Sequence, residues 1–245
     1  MNNLMPRYGL VGDGRLARHL KFWFTQKGIR FDQWSRRDSA VGETPTAVLA
    51  DCDRIILAIS DDAIEPFINA WPGLGEQLLI HCSGSLTTAL AVGVHPLQTF
   101  GDVLFEPAAY DAIPMTLDEQ APPFERLMPG LENPHCRIRS EHKAHYHALC
   151  VLACSGTQLL WREMMLGLAR MGIDPEFAGP LLRQTADHAL GSPFADLTGP
   201  LSRNDIETQN RNLDALGRDA LAEVYRALQA TYRARTEDSN PQVHR

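Results

Sequence analysis

The stretch RYGLVGDGRLARHL, residues 7–20, reads as strand, turn and helix in immediate succession. Residues 8–11 form a short apolar run, the pattern of a strand buried on both faces. Residues 16–27 carry apolar side chains at helical spacing. Between them lies Gly9-x-x-Gly12-x-Gly14-x-x-Ala17, which contains G-x-G-x-x-A. In such a turn Gly12 permits the sharp reversal, Gly14 lets the backbone approach a pyrophosphate, and Ala17 keeps the helix close to the sheet. Unpaired N–H groups at the helix start, reinforced by its dipole, favour a phosphate. Two glycines alone are a weak signal, since any tight turn can use them. The strand before, the helix after and a second strand at the right distance strengthen it. Gly12, Asp13, Gly14, Arg15 and Leu16 are therefore candidate dinucleotide contacts.

The end of the second expected strand selects between cofactors. The sequence there is WSRRD, residues 34–38. An acidic residue at this point binds the ribose 2′-hydroxyl of NAD, whereas arginines suit a 2′-phosphate. Ser35 holds the expected acidic position and Arg36 and Arg37 follow, which favours NADP. A longer strand would instead bring Asp38 there and favour NAD. Ile59 and Ser60, past the third expected strand, complete the candidate cofactor contacts.

Outward from this turn, strands are expected at 8–11, 29–34, 54–59, 78–82, 91–95, 113–117 and 136–139, with helices at 16–27, 62–71 and 123–131. The alternation predicts an α/β Rossmann-type domain over residues 1–140, a doubly wound parallel sheet covered on both faces. Beyond residue 140 strand signals vanish. Residues 141–171 read as one long helix, apolar around much of its circumference near HALCVLACSGTQLLW. A helix at 175–188 follows, then the loop GSPFADLTGPLSRND, then a helix at about 206–231. These predict an all-α domain over 141–235 for substrate binding and dimerisation, and a disordered tail at 236–245. The long helix is too apolar to stand in solvent, so a homodimer through the helical domain is expected.

Composition narrows the classes of partner. The 245 residues carry a net charge of −7 with no basic block, which argues against nucleic acid. The longest uncharged apolar run, 148–161, is shorter than the roughly 20 residues that span a bilayer. Arg7, Asp13, Arg15 and Arg18 interrupt any leader-like run, so a soluble cytoplasmic protein is expected. The five cysteines (52, 82, 136, 150 and 154) form no C-x-x-C pair and read as reduced thiols.

In a doubly wound sheet ligands bind beyond the carboxyl ends of the strands. There lie ISDDAI (59–64), HCSGS (81–85) and HPLQTF (95–100). Asp61 and Asp62 read as caps of the next helix. Ser83 and His95 are expected to meet near a nicotinamide, Ser83 positioning the substrate and His95 supplying a proton. Taken singly, each reads better as a turn hydrogen bond; taken together behind a cofactor motif, the functional reading gains weight. Lys143 and His147, four apart, project from one helix face as a second anchoring and acid–base pair, or as a solvated helix start. The spacing of His142, His145 and His147 matches no compact metal motif, and no metal is expected.

The G-x-G-x-x-A turn, WSRR, ISDDAI, HCSGS, VGVHPLQTF and LTGPLSRND occur in this order in a family of Rossmann-like oxidoreductases whose helical C-terminal domain is of unknown function, and nearly the whole chain resembles it. The wider group includes pyrroline-5-carboxylate reductase, ketopantoate reductase, prephenate dehydrogenase and 6-phosphogluconate dehydrogenase. The resemblance implies NAD(P)-dependent hydride transfer to a small oxo acid or imine, including a ketopantoate-like one, and a 6-phosphogluconate dehydrogenase-like C-terminal domain. The serine and His-Pro of prephenate dehydrogenases fall on Ser83 and on His95-Pro96. The Lys-x-x-x-Asn of hydroxyacid dehydrogenases falls on Lys143-x-x-x-His147. Three motifs depart from the related patterns: His147 stands for Asn, Cys154-Ser155 for Ser-Asn, and Asn204 for Gly. These departures leave open a non-catalytic dinucleotide sensor. A deazaflavin-dependent reductase is a third reading.

Overall fold

The first strand, β1 (Tyr8–Val11), is buried along its whole length and feeds directly into α1 (Arg15–Lys27). The computed structural model describes residues 6–37, 42–192 and 197–238. The chain divides into two units, residues 1–162 and 163–245.

In the first unit, α1 is followed by β2 (Phe31–Trp34), α2 (Pro45–Val48), β3 (Arg54–Leu57), α3 (Asp61–Ala70), β4 (Leu78–His81) and β5 (Val92–Pro96). Then come α4 (Pro107–Asp111), β6 (Met115–Asp118), α5 (Phe124–Leu127), β7 (His135–Ile138) and α6 (Ser140–Val151). The strands form one seven-stranded sheet in the order β2-β1-β3-β4-β5-β6-β7. Neighbouring residues of a strand serve opposite faces, as the pleat requires. Leu10, Ile56 and Ile80 enter one apolar layer with Phe24 and Tyr110, while Val11, Ile55, Leu57 and Leu79 enter the other with Leu49 and Ile64. Each such buried side chain contributes about 1.5–3 kcal/mol relative to exposure. This is the Rossmann-type architecture expected from the sequence.

The expected all-parallel sheet needs one correction. β5 and β6 pair antiparallel, with His95 opposite Thr116, and β6 and β7 then pair parallel. The segment between β5 and β6 holds only the short α4, so the chain reverses where a longer crossover helix would have returned it in parallel. The helix expected at 123–131 shrinks to the single turn of α5.

The helix expected at 141–171 is present as α6, a π-turn at Leu152–Gly156, and α7 (Thr157–Arg170). The division between units falls inside α7, later than the expected boundary at residue 140, because α6 packs its Lys143 and Tyr146 onto the sheet.

The second unit contains a 3₁₀ turn at Pro175–Ala178, α8 (Gly179–Gly191), α9 (Ile206–Leu216) and α10 (Ala220–Asp238). The single helix expected at about 206–231 is two helices, with a break at Gly217. Asp205 caps α9 by accepting from Thr208 N, which holds its carboxyl below the usual carboxylate range. Gln229 donates to Gln209, which donates to the Pro200 carbonyl, tying α10 and α9 to the TGP loop. Asn204, where the resembled family has Gly, adopts φ 51, a left-handed conformation that Asn tolerates better than most residues. Helix α10 extends to Asp238, into the stretch expected to be disordered; residues 239–245 lie outside the described residues.

Candidate functional site

Two features of the first unit lie beyond the carboxyl ends of the parallel strands. One is a cleft of about 1020 Å³ at the ends of β1, β2 and β3. All ten expected cofactor contacts line it: Gly12, Asp13, Gly14, Arg15, Leu16, Ser35, Arg36, Arg37, Ile59 and Ser60. Gly12 sits at φ 121, and a Cβ there would collide with the Ala58 carbonyl oxygen at the end of β3. The turn can therefore be tight only because residue 12 lacks a side chain. A Cβ on Gly14 would meet nothing within 4 Å, so that backbone faces open space. Helix α1 begins there with no side-chain cap and no acidic residue in its first turn, which leaves its first N–H groups for an anion.

Ser35 is buried at the end of β2, directly after Trp34. Arg37, largely exposed, pairs with Asp13 at 3.3 Å across the cleft mouth. Arg15 instead reaches Asp102 at 3.0 Å. Asp38, the residue that would favour NAD, lies outside the described residues. The sequence reading missed one wall: Trp34, Phe67 and Trp71, with Trp34 5.7 Å from Phe67 and 6.5 Å from Trp71 between ring centroids.

The second feature is a polar cluster at the ends of β4 and β5, against α6. Helix α3 links the two, since Ser60 lines the cleft and Asp61 belongs to the cluster. Ser83 donates to Asp61 Oδ2 at 2.5 Å and accepts from the N–H groups of Ser85 and Leu86. A hydroxyl has one proton and two lone pairs. Ser83 Oγ is thus fully engaged within the chain and shapes the 83–86 turn; it has no valence left for positioning a substrate as expected. Asp61 and Asp62 are not caps as expected: the cap position of α3 is Ser60, no side chain caps it, and Asp61, in the first turn, instead accepts from Ser83 Oγ and from Ser85 Oγ at 3.1 Å.

His95 and His147 meet edge to face, 5.6 Å between centroids, with Gly84 beside both. A Cβ on Gly84 would lie 2.5 Å from His147 Nδ1 and 3.0 Å from His95 Nε2, so only glycine lets both rings approach. His147 Nδ1 is buried with no hydrogen-bond partner. Burial first, then the neighbouring His147, push His95 down to about 4. His81, fully buried at the end of β4, accepts from Ser83 N through Nδ1, so its proton sits on Nε2. Burial and then Lys143 push it down to about 4. Both imidazoles are therefore neutral near pH 7. Any proton that His95 supplies, as the sequence reading expects, therefore comes from a neutral ring.

Lys143 is also placed differently from expectation. Its side chain is 3% exposed and its ammonium pairs with Asp118 Oδ1 at 2.5 Å, while Gly93 N donates to the other carboxylate oxygen at 2.6 Å. Its charge is spent on the sheet, not offered to a ligand. The structure thus gathers Ser83, His95 and His147 around Gly84, with Lys143 tied down nearby. Sequence reasoning missed Asp118, Thr116, His81 and Tyr146. Lys143, Tyr146 and His147 fall at i, i+3 and i+4, and that spacing was the available signal for Tyr146. Among the described residues no group of His, Cys, Asp or Glu is arranged to hold a metal ion, and no helix is long and apolar enough to cross a membrane.

Comparison with solved structures places the chain in the class of Rossmann-type proteins that carry a helical C-terminal region. A Bacteroides fragilis protein described as a candidate NADP oxidoreductase superposes with TM-score 0.72 at 21% identity, over 93% of this chain and 97% of that one. The Thermotoga maritima protein TM1727 gives 0.64 at 19% identity, over 95% and 99%. Plasmodium falciparum pyrroline carboxylate reductase, solved with NADP bound, gives 0.56 at 13% identity, over 97% and 98%. At the level of sequence, residues 116–232 match the family described as "Domain of unknown function (DUF2520)". No curated protein matches the chain by sequence.

Proposed function

We propose that this chain is an NADPH-dependent oxidoreductase acting on the carbonyl or imine carbon of a small substrate, an oxo acid of ketopantoate-like size among the candidates. The observation that carries the reading is the adjacency of the two features: Ser60 lines the glycine-turn cleft, and the next residue, Asp61, holds Ser83 in the turn whose Gly84 lies against His95 and His147. Gly12, Gly14 and the start of α1 would hold the pyrophosphate, and Ser35, Arg36 and Arg37 would face a 2′-phosphate. The bound dinucleotide would supply the hydride. The chain's own part is to orient the substrate and hydrogen-bond its oxygen or nitrogen through His95 as charge develops there. The test is titration of the purified protein with NADPH and NADH, then NADPH oxidation against a panel of oxo acids and imines. Saturable NADPH binding with turnover of one of them is expected; no binding of either dinucleotide would overturn the reading.

One observation favours a second reading, a dinucleotide sensor without catalysis. Lys143 is neutralised by Asp118, so the cation expected to anchor an anionic substrate is already committed. NADPH binding with no turnover across the panel would select that reading.

The assembly that fits is a homodimer through the helical region. Neither α7 nor α8 contains a buried residue, and Leu166, Leu181 and Leu190 on them are exposed. Faces this apolar are characteristically covered by a partner, and related oxidoreductases pair there. A monomer at micromolar concentration in sedimentation would refute it.

A further inference from the structure

We propose that Tyr146 is the positioning residue for His95: its phenol donates to Nδ1, which places the imidazole proton on Nε2, the ring edge turned towards Gly84 and His147. The effect of this on turnover rests on the oxidoreductase reading. The tautomer itself is a property of the chain alone.

The geometry is a three-member chain of hydrogen bonds. Tyr146 Oη lies 2.9 Å from His95 Nδ1 and 3.1 Å from Thr116 Oγ1. The phenol and imidazole rings stand at 87° with centroids 5.6 Å apart, so the hydroxyl meets the ring nitrogen from the side. Thr116 is buried on β6, directly opposite His95 in the sheet register. The other edge of the ring faces Gly84, where a Cβ would lie 3.0 Å from Nε2.

Protons can run along this chain in two directions. In one, His95 Nδ1–H donates to Tyr146, Tyr146 donates to Thr116, and the threonine proton is left with Cys136 Sγ at 3.9 Å, a poor acceptor. In the other, Thr116 donates to Tyr146, and Tyr146 donates to His95 Nδ1. The second joins the stronger donor, a phenol, to the stronger acceptor, an imidazole nitrogen. It also gives the Thr116 hydroxyl, the Tyr146 hydroxyl and His95 Nδ1 each a partner, and turns the one remaining N–H, on Nε2, towards Gly84. The chain therefore runs towards His95.

This arrangement lets a neutral histidine act as a proton donor. Alone, neutral His95 would become an imidazolate on giving up Nε2–H. With Tyr146 in place, the Nε2–H bond breaks towards the substrate's oxygen or nitrogen while the Tyr146 O–H proton moves to Nδ1. The imidazole stays neutral throughout. The phenolate left behind accepts from Thr116 and regains its proton from water. One proton leaves and one enters, and nothing in the chain is oxidised or reduced. The charged and titratable groups that act on His95 are Asp61 from α3, His81 from β4, and Lys143 and His147 from α6.

The test is long-range ¹H–¹⁵N correlation of the histidine side chains in the full-length protein at pH 7.5, without cofactor, with His95→Gln identifying the His95 signals. The expected result is the Nε2–H tautomer for His95 in the unaltered protein, a shift to a tautomer mixture in Tyr146→Phe, and retention of Nε2–H in Thr116→Val. An Nδ1–H tautomer in the unaltered protein, or an unchanged tautomer in Tyr146→Phe, would overturn the proposal. If NADPH oxidation is observed, Tyr146→Phe should lower kcat by about 10²-fold, the low end of general acid–base effects, with KM for NADPH unchanged. A protein that binds no NADPH would sink the oxidoreductase reading, and the tautomer measurement would still decide this one.

Discussion

Gly12 and Gly84 each lie just past a strand of the sheet and each excludes a side chain, for unlike reasons. At Gly12 the obstacle is backbone, the Ala58 carbonyl of a neighbouring strand, and the chain adopts a positive φ. At Gly84 the obstacle is two imidazoles, from β5 and from α6. The first region is a cradle of main chain, the turn after β1 set against the end of β3. The second is a cluster of side chains brought together across the fold. A cradle of the first kind tolerates changes at its rim, whereas a side-chain cluster depends on each member.

The sharpest way to break the second region without touching the first is Asp118→Asn. It strands a buried ammonium, and removing one partner of a buried pair costs about 3–5 kcal/mol. Urea unfolding should show this loss, and the double variant Asp118→Leu with Lys143→Met should recover most of it. Loss of NADPH affinity comparable to the loss of stability would blur the distinction between the two regions.

A second expected effect is a pH slope. His81 and His95 stay neutral in the folded chain down to about pH 4, whereas an unperturbed histidine takes up its proton near 6.5. Between these values the unfolded chain holds more protons, so stability rises with pH, by at most about 1.4 kcal/mol per pH unit for each group. The contribution is fully present above roughly pH 6.5 and is lost as pH falls towards 4. His81→Gln should flatten the slope in denaturation midpoints between pH 5 and 7; an unchanged slope would mean that this histidine is not held neutral.

The smallest expected effect belongs to the cradle's rim. Replacing Arg36 and Arg37 with Ala should weaken NADPH by roughly 1.5–3 kcal/mol, the worth of a charge-assisted hydrogen bond, and leave NADH unchanged. The Arg37–Asp13 pair is largely exposed on the arginine side, so its loss should not move stability measurably. Calorimetric titration with both dinucleotides would show equal weakening if the arginines do not discriminate.

The same contrast explains what the sequence made legible. Gly12 to Leu16 announce themselves because a turn's chemistry is local, and Ser35 to Arg37 because strand ends are local too. His95 and Ser83 were placed correctly at strand ends, but their partners were not foreseeable by proximity. Ser83 spends its hydroxyl on Asp61, 22 residues away, and His95 meets Tyr146, 51 residues away. The antiparallel β6 was equally silent, since apolar periodicity reports burial and not direction. Lys143 looked like a helix-start charge because nothing in its neighbourhood predicts that Asp118 waits beneath it.

The reversal of β6 and β7 has a consequence for how this protein can change over time. Because β7 ends at the level where β5 begins, α6 climbs alongside β5 in the same direction. Lys143 meets Asp118 at the height of Gly93, and Tyr146 meets His95 two strand residues higher. Three helix residues rise about 4.5 Å and two strand residues about 6.6 Å, a difference small enough for the long Lys143 and Tyr146 side chains to keep helix and strand in step, like two matched scales. A substitution on either scale alters one mark. A single-residue insertion between Lys143 and Tyr146 would turn the upper mark by roughly 100° and separate it from its counterpart. Lineages can therefore retune this site by exchange of side chains, but α6 between these residues is closed to insertion and deletion.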